Sequence, residues 1–312
     1  GFEPLITIFS LLSVENSVLD ISVFRIIAVN TEITNTLLLF LVKFKTYYPT
    51  LHSYTDNLYV DKEIKKTIDA VIDRFGEVRD NASESLYQIR KQIQQLRSKI
   101  SSSFNKALSQ YQSAEYLDDI RESVIENRRV LAVKAMHRRK VKGAIMGSSK
   151  TGSIVFMEPE ATHAQNRELQ NLLFEEGEEI KKILSVLTDY FRPHLSYLKL
   201  QHEFLLSIDM VFAKARYAQE IGGLLPTIDL IDRRIEYNAA FHPLLLQSNR
   251  LEDKITYPQD ILLHPKKRIV VISGPNAGGK SITLKTVGLL QLMLQSGLPV
   301  SYTHLRAHET RL

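Results

Sequence analysis

Residues 274–281 read Gly-Pro-Asn-Ala-Gly-Gly-Lys-Ser and fit the phosphate-loop pattern G-x-x-x-x-G-K-[ST]. No other segment constrains the fold as much, because this pattern functions only between a strand and a helix. Its glycines let successive backbone N–H groups turn inward as an anion nest. The helix that should begin near Lys280 aims its positive dipole end at the same point. Lys280 is placed to reach the β- and γ-phosphates of ATP, and the Ser281 hydroxyl to ligate Mg²⁺. The flanks agree. Ile269, Val270, Val271 and Ile272 predict a buried strand over residues 268–273, and Val287, Leu289, Leu290, Leu292 and Met293 predict an apolar helix behind the loop. Gly274, Pro275, Asn276, Ala277, Gly278, Gly279, Lys280 and Ser281 are therefore the candidate ATP site, with Ser281 its metal ligand.

Upstream, two long helical stripes bracket a basic segment. Leu86, Ile89, Ile93, Leu96, Ile100, Phe104 and Leu108 recur at spacings of three and four, behind Ser83 as N-cap and Glu84 in the first turn. A helix of about 25 to 30 residues would form a rod of roughly 40 Å. The second stripe runs through Leu169, Leu172, Leu173, Ile180, Ile183, Leu184, Leu187 and Phe191. Pro193 should break it. The period resumes at Leu195 and fades at Gly222-Gly223. Between the stripes, residues 129–136, 141–149 and 153–157 are short and rich in Val, Ile and Ala, which predicts a small antiparallel sheet with turns at 137–140 and 148–152.

Net charge is only +5, from 40 Lys and Arg against 35 Asp and Glu, so charge matters here only where it clusters. Residues 127–157 hold eight cations and no acid: Arg128, Arg129, Lys134, Arg138, Arg139, Lys140, Lys142 and Lys150. They are the candidate nucleic-acid contacts, since cationic clusters act mainly by neutralising phosphate. The plainer alternative is an antiparallel coiled coil with a solvated, charged end. The predicted organisation is a helical core over residues 1–80, lever helices over 81–222 with the basic tip at 127–158, the first part of a phosphate-loop ATPase domain over 223–300, and a non-native tail over 301–312. The predicted fold class is mainly α with a small antiparallel β clamp, plus a truncated α/β nucleotide-binding domain. Residues 37–41 suggest a buried helix. The longest apolar runs, such as Leu37 to Val42, fall short of a membrane span, and no basic stretch precedes an apolar one at the start, so a cytoplasmic protein is expected. Cysteine is absent, which removes disulfides and thiolate metal sites.

The phosphate loop with Thr283-Leu284-Lys285-Thr286-Val287-Gly288 resembles that of the MutS proteins, and their second bacterial branch in particular. Phe241-His242-Pro243-Leu244-Leu245 is similar to the His-Pro motif of that branch. Asp80-Asn81-Ala82-Ser83 with Leu86, Ile89 and Arg90 resembles the start of its first lever helix. Phe156-Met157-Glu158-Pro159 and Phe212-Ala213-Lys214-Ala215-Arg216 look like its clamp and returning helix. The resemblance implies a homodimer clasping double-stranded or branched DNA between helical arms, with paired ATPases gating the clasp. It also implies roles in suppressing recombination or rescuing collided ribosomes, with rRNA as a second partner. It places His242 near the nucleotide, although a structural turn histidine beside Pro243 explains the same residues equally well. Phe75-Gly76-Glu77 falls where the first lever begins and does not read as a mismatch wedge.

The sequence after Val300 departs from the family. The Walker B strand, dimerisation helices and nuclease domain that the family implies are not within it, and after Ser281 the only acid is Glu309. This chain is therefore expected to bind nucleotide without hydrolysing it, hydrolysis and nuclease activity belonging to a longer protein. Residues 205–209 resemble a Walker B strand superficially but lie on a helical stripe. Two other classes fit the loop: cohesion- or transporter-type ATPases with a coiled coil, and a helical scaffold with a vestigial loop. The position of the loop after the arm favours the MutS reading over the former.

Overall fold

The computed structural model describes residues 2–227, 235–275 and 279–301. They divide into two compact units, Gly1–Phe204 and Leu205–Leu312. The first contains α1 (Ile6–Leu12), α2 (Ile21–Lys43), α3 (Pro49–His52), α4 (Glu63–Val71), α5 (Glu84–Ser113), the strands β1 (Leu117–Ile125), β2 (Arg128–Lys134), β3 (Gly143–Ser148) and β4 (Ile154–Pro159), and α6 (Glu160–Phe191). The division falls within α7 (Leu195–Ile221). The described chain is mostly helical with a small antiparallel sheet.

The base of the first unit is a helical core. Phe24 and Ile27 of α2, Ile64 and Ile68 of α4, Leu86 of α5, Leu184, Leu187 and Phe191 of α6 and Leu198 of α7 bury one another. Helix α2 reaches 23 residues and is long and apolar enough by length and composition to cross a membrane. Uninterrupted apolar runs do not register it, because Asn30, Thr31, Glu32, Thr34 and Asn35 interrupt its apolar residues. Its polar residues, however, serve the protein core: Asn30 exchanges hydrogen bonds with the backbone of Glu3, and the Thr31 hydroxyl donates to Gln201 Oε1 at 3.1 Å. Leu38 and Leu41 are buried on it, whereas Leu39 and Phe40 face solvent.

From this base an antiparallel hairpin extends. Ser83 caps α5 by accepting from the Leu86 N–H at 3.0 Å, and its own hydroxyl donates to Glu179 of α6 at 2.7 Å. Arg90 reaches Glu176 at 2.7 Å, and Ile93 and Leu96 pack on Leu172. A 3-10 turn over Arg192–His194 separates α6 from α7, as Pro193 requires. Residues 205–209 lie in α7, which disposes of their strand-like look.

The sheet has the order β1-β2-β4-β3, antiparallel throughout. Strand β2 lies inside it, and Val130, Leu131, Ala132 and Val133 are all fully buried. Leu131 and Val133 share a face with Val155 and Met157 of β4, and together they cover Phe104 of α5. Strand β1 had no sequence signal. As an edge strand it buries only Leu117 and carries Asp118, Asp119, Arg121 and Glu122, so apolar alternation is missing; a bulge with Arg121 at φ 61° interrupts its register. Glu126 and Asn127, at φ 48° and 60°, form the two-residue turn into β2.

The second unit contains the rest of α7, β5 (Ile235–Ala240), α8 (Pro243–Leu251), β6 (Gln259–Leu263) and α9 (Lys280–Gln295). Ile221, Tyr237, Ala240, Leu290, Met293 and Val300 form its core. Strands β5 and β6 pair antiparallel. The buried strand expected over residues 268–273 does not form: these residues lie in no strand, and Ile269 and Val271 are each 84% exposed. A strand is held by neighbours on its hydrogen-bonding edges, and among the described residues none lies beside this one. Ser301, assigned above to the tail, is buried and donates from its hydroxyl to the Phe241 carbonyl at 2.9 Å. Residues 302–312 lie outside the described residues.

Candidate nucleic-acid and nucleotide sites

The two ends of the sheet differ in kind. At one end the β1–β2 turn lies beside the middle of the arm, and its two arginines are committed internally. Arg128 donates to Glu158 at 3.0 Å, and Arg129 holds Glu122 at 2.6 Å while its guanidinium lies 4.2 Å from the Phe104 ring centre. Glu158 is wholly buried; Asn166 of α6 donates to its other oxygen at 2.7 Å, and His163 Nδ1 is 3.5 Å away. The sequence count of eight uncompensated cations is thus corrected. Both counter-charges lie just outside residues 127–157, where a linear window misses them.

At the opposite end, where α5 stops, the turns 135–140 and 149–153 come together. The Lys134 N–H donates to the Tyr116 carbonyl at 3.0 Å and the Ala135 N–H to the Ser153 carbonyl at 2.9 Å. Arg138, Arg139, Lys140 and Lys150 are exposed there and Lys134 is half-buried; Lys142 is exposed as well, but at the first end, where its carbonyl accepts from the Glu160 N–H at 3.1 Å beside the Gly143–Pro159 pair. Among the described residues none of these six has an acid within ion-pairing distance. Lys140 lies 5.3 Å from the Tyr116 ring centre, and the Lys142 N–H is held by the Tyr111 hydroxyl at 3.1 Å. Such an arrangement presents fixed positive charge at the end of a rod, which suits a polyanion.

In the second unit, α9 starts at Lys280, behind Gly279 in the left-handed region at φ 80°. Gly274 has φ 151°, a conformation that side chains disfavour. The Lys280 ammonium donates to the carbonyls of Gly274 and of Pro275, the latter at 3.2 Å. Ser281 is exposed on the first turn of α9. Asn276, Ala277 and Gly278 lie outside the described residues. A helix N-terminus, an ammonium and a hydroxyl, preceded by Gly274 and Gly279, are groups whose chemistry suits a nucleotide phosphate and its Mg²⁺.

His242 is the N-cap of α8: its Nδ1 accepts from the Leu245 N–H at 3.3 Å. Burial, then the charge of Lys285, lowers its pKa from the usual histidine value. The cap requires the neutral ring, so a structural role is on the page for this residue.

The described residues thus define a mainly helical protein with a long hairpin arm, a basic antiparallel sheet on the arm and a glycine–lysine loop leading into a helix. No family model matches the chain. Curated relatives do. Endonuclease MutS2 of Geobacillus sp. (strain WCH70) is 34% identical over 255 residues, covering 81% of this chain and 32% of the relative. The namesake from Agathobacter rectalis is 37% identical over 224 residues, 72% of this chain and 27% of the relative. That from Carboxydothermus hydrogenoformans is 36% identical over 251 residues, 80% of this chain and 31% of the relative. The chain belongs to the MutS2 family. It spans about a third of the length of the curated relatives it matches.

Proposed function

We propose that this chain supplies the arm, and the first part of the nucleotide site, of an ATP-gated clamp on nucleic acid. The observation that carries the reading is the end of the sheet where Lys134, Arg138, Arg139, Lys140 and Lys150 lie without acidic partners among the described residues. Arg128 and Arg129 hold the sheet together and its arm in place rather than meeting phosphate. Double-stranded or branched DNA is the proposed partner. The phosphates of rRNA in a ribosome offer the same chemistry. Lys280 and Ser281 would hold ATP and Mg²⁺, with hydrolysis, dimerisation and nuclease activity residing in a longer, cytoplasmic protein of this family.

Fluorescence anisotropy with a labelled duplex at two salt concentrations tests the tip. Each phosphate contact contributes roughly 0.9 to the slope of log affinity against log salt, so the double variant Arg138→Glu, Arg139→Glu should flatten that slope by about 2. An unchanged slope would remove the tip as a phosphate contact. Failure of the parent to bind duplex, with retention on ribosomes, would move the reading to rRNA.

A further inference from the structure

Met136 is the feature that a purely electrostatic contact does not use. It sits in the middle of the 3-10 turn Ala135–His137, a residue 80% exposed, among Lys134, Arg138, Arg139 and Lys140. The turn under it is fixed. The Ala135 N–H is bonded to Ser153, the Arg138 N–H to the Ala135 carbonyl at 3.3 Å and the Lys140 N–H to the His137 carbonyl at 2.8 Å; the His137 ring rests 4.9 Å from that of Tyr116. A thioether cannot bind phosphate. Apolar side chains at a nucleic-acid surface instead find base faces or groove walls, where they partly unstack a step once neighbouring cations have docked the backbone. An unbranched, polarisable side chain adapts to such a gap better than a rigid one.

We propose that Met136 is the base-contacting residue of the tip, an apolar wedge that seats in duplex DNA while the surrounding cations hold its phosphates. This rests on the clamp reading above. The test uses the 312-residue chain with duplex DNA carrying a 2-aminopurine reporter, whose fluorescence rises on unstacking, alongside anisotropy. The parent should raise the reporter signal. Met136→Ala should abolish that rise and weaken binding by about tenfold, the size expected for one methionine side chain losing its burial, with the salt slope unchanged. Met136→Leu should restore both. If Met136→Ala binds and unstacks like the parent while Arg138→Glu, Arg139→Glu weakens binding, the wedge is overturned and the phosphate clamp stands. If neither variant alters binding, both fall; if the parent does not bind the duplex, the wedge is overturned and retention on ribosomes decides the clamp.

Discussion

Glu158 shows how one residue joins the sheet to the arm. Its carboxylate, without solvent contact, is held by Arg128 from β2 and Asn166 from α6. The Arg128 side chain stays 27% exposed, so losing the carboxylate costs about 1.5 to 3 kcal/mol, the range for hydrogen bonds to charged groups. Glu158→Ala should destabilise the chain by about that much in urea denaturation, and Glu158→Gln, which keeps an acceptor and the side-chain shape, by less. His202 is a second test at this scale. It is 4% exposed, neither ring nitrogen has a hydrogen-bond partner, and Phe2 and Phe9 meet it edge-on at 6.1 and 5.5 Å. Burial lowers its pKa below the ordinary 6.5, against a smaller opposing effect of Glu203. The unfolded chain therefore takes up a proton that the native ring resists, so this contribution to stability is intact above pH 6.5 and declines as pH falls through the lowered native value. Urea midpoints should drop between pH 7.5 and 5.5, and His202→Phe should lessen the drop. A dependence unaltered in the variant would assign it to other groups.

At the scale of elements, the arm follows from periodicity and capping, but its joint with the sheet follows from close approach. Gly143, the first residue of β3, pairs with Pro159, and a Cβ built there would lie 2.1 Å from the Glu158 carbonyl oxygen. Backbone on that side cannot yield as a flexible side chain could. Gly143→Ala should therefore push β3 from β4 and cost about 3 kcal/mol, the upper part of the range for overpacking. Gly152→Ala is the contrast. It has open space around it and only a left-handed φ of 71° to resist the change, which should cost about 1 kcal/mol. Thermal melts of the two variants would separate them, and equal loss would refute the close-contact argument. The same comparison explains what the linear pattern conveyed about each element. Leu86, Ile93 and Leu96 advertise α5 because one face of it is buried along its length. Strand β1 announces nothing, because backbone hydrogen bonds to β2 rather than side-chain burial hold it.

For the molecule as a whole, the functional proposal joins a basic tip in one unit to a phosphate loop in the other, and the loop can be tested separately. Lys280→Ala should weaken binding of a fluorescent ATP analogue at least about tenfold, since a charge-assisted contact to phosphate contributes roughly 1.5 to 3 kcal/mol. Equal affinity in the variant would identify the loop as a scaffold turn. Sequence by itself determined the two long helices, the break at Pro193, the capping by Ser83, the helix behind the phosphate loop and the family. Each of these rests on local chemistry or on residue order. Tertiary structure alone decided which cations are free. Glu122 and Glu158 reach Arg129 and Arg128 only when β1, β2 and β4 are side by side, whereas Arg138, Arg139 and Lys140 are turned away at the far end. It also decided that residues 268–273, apolar enough for a buried strand, form none, because β structure is a property of neighbours and composition cannot supply them.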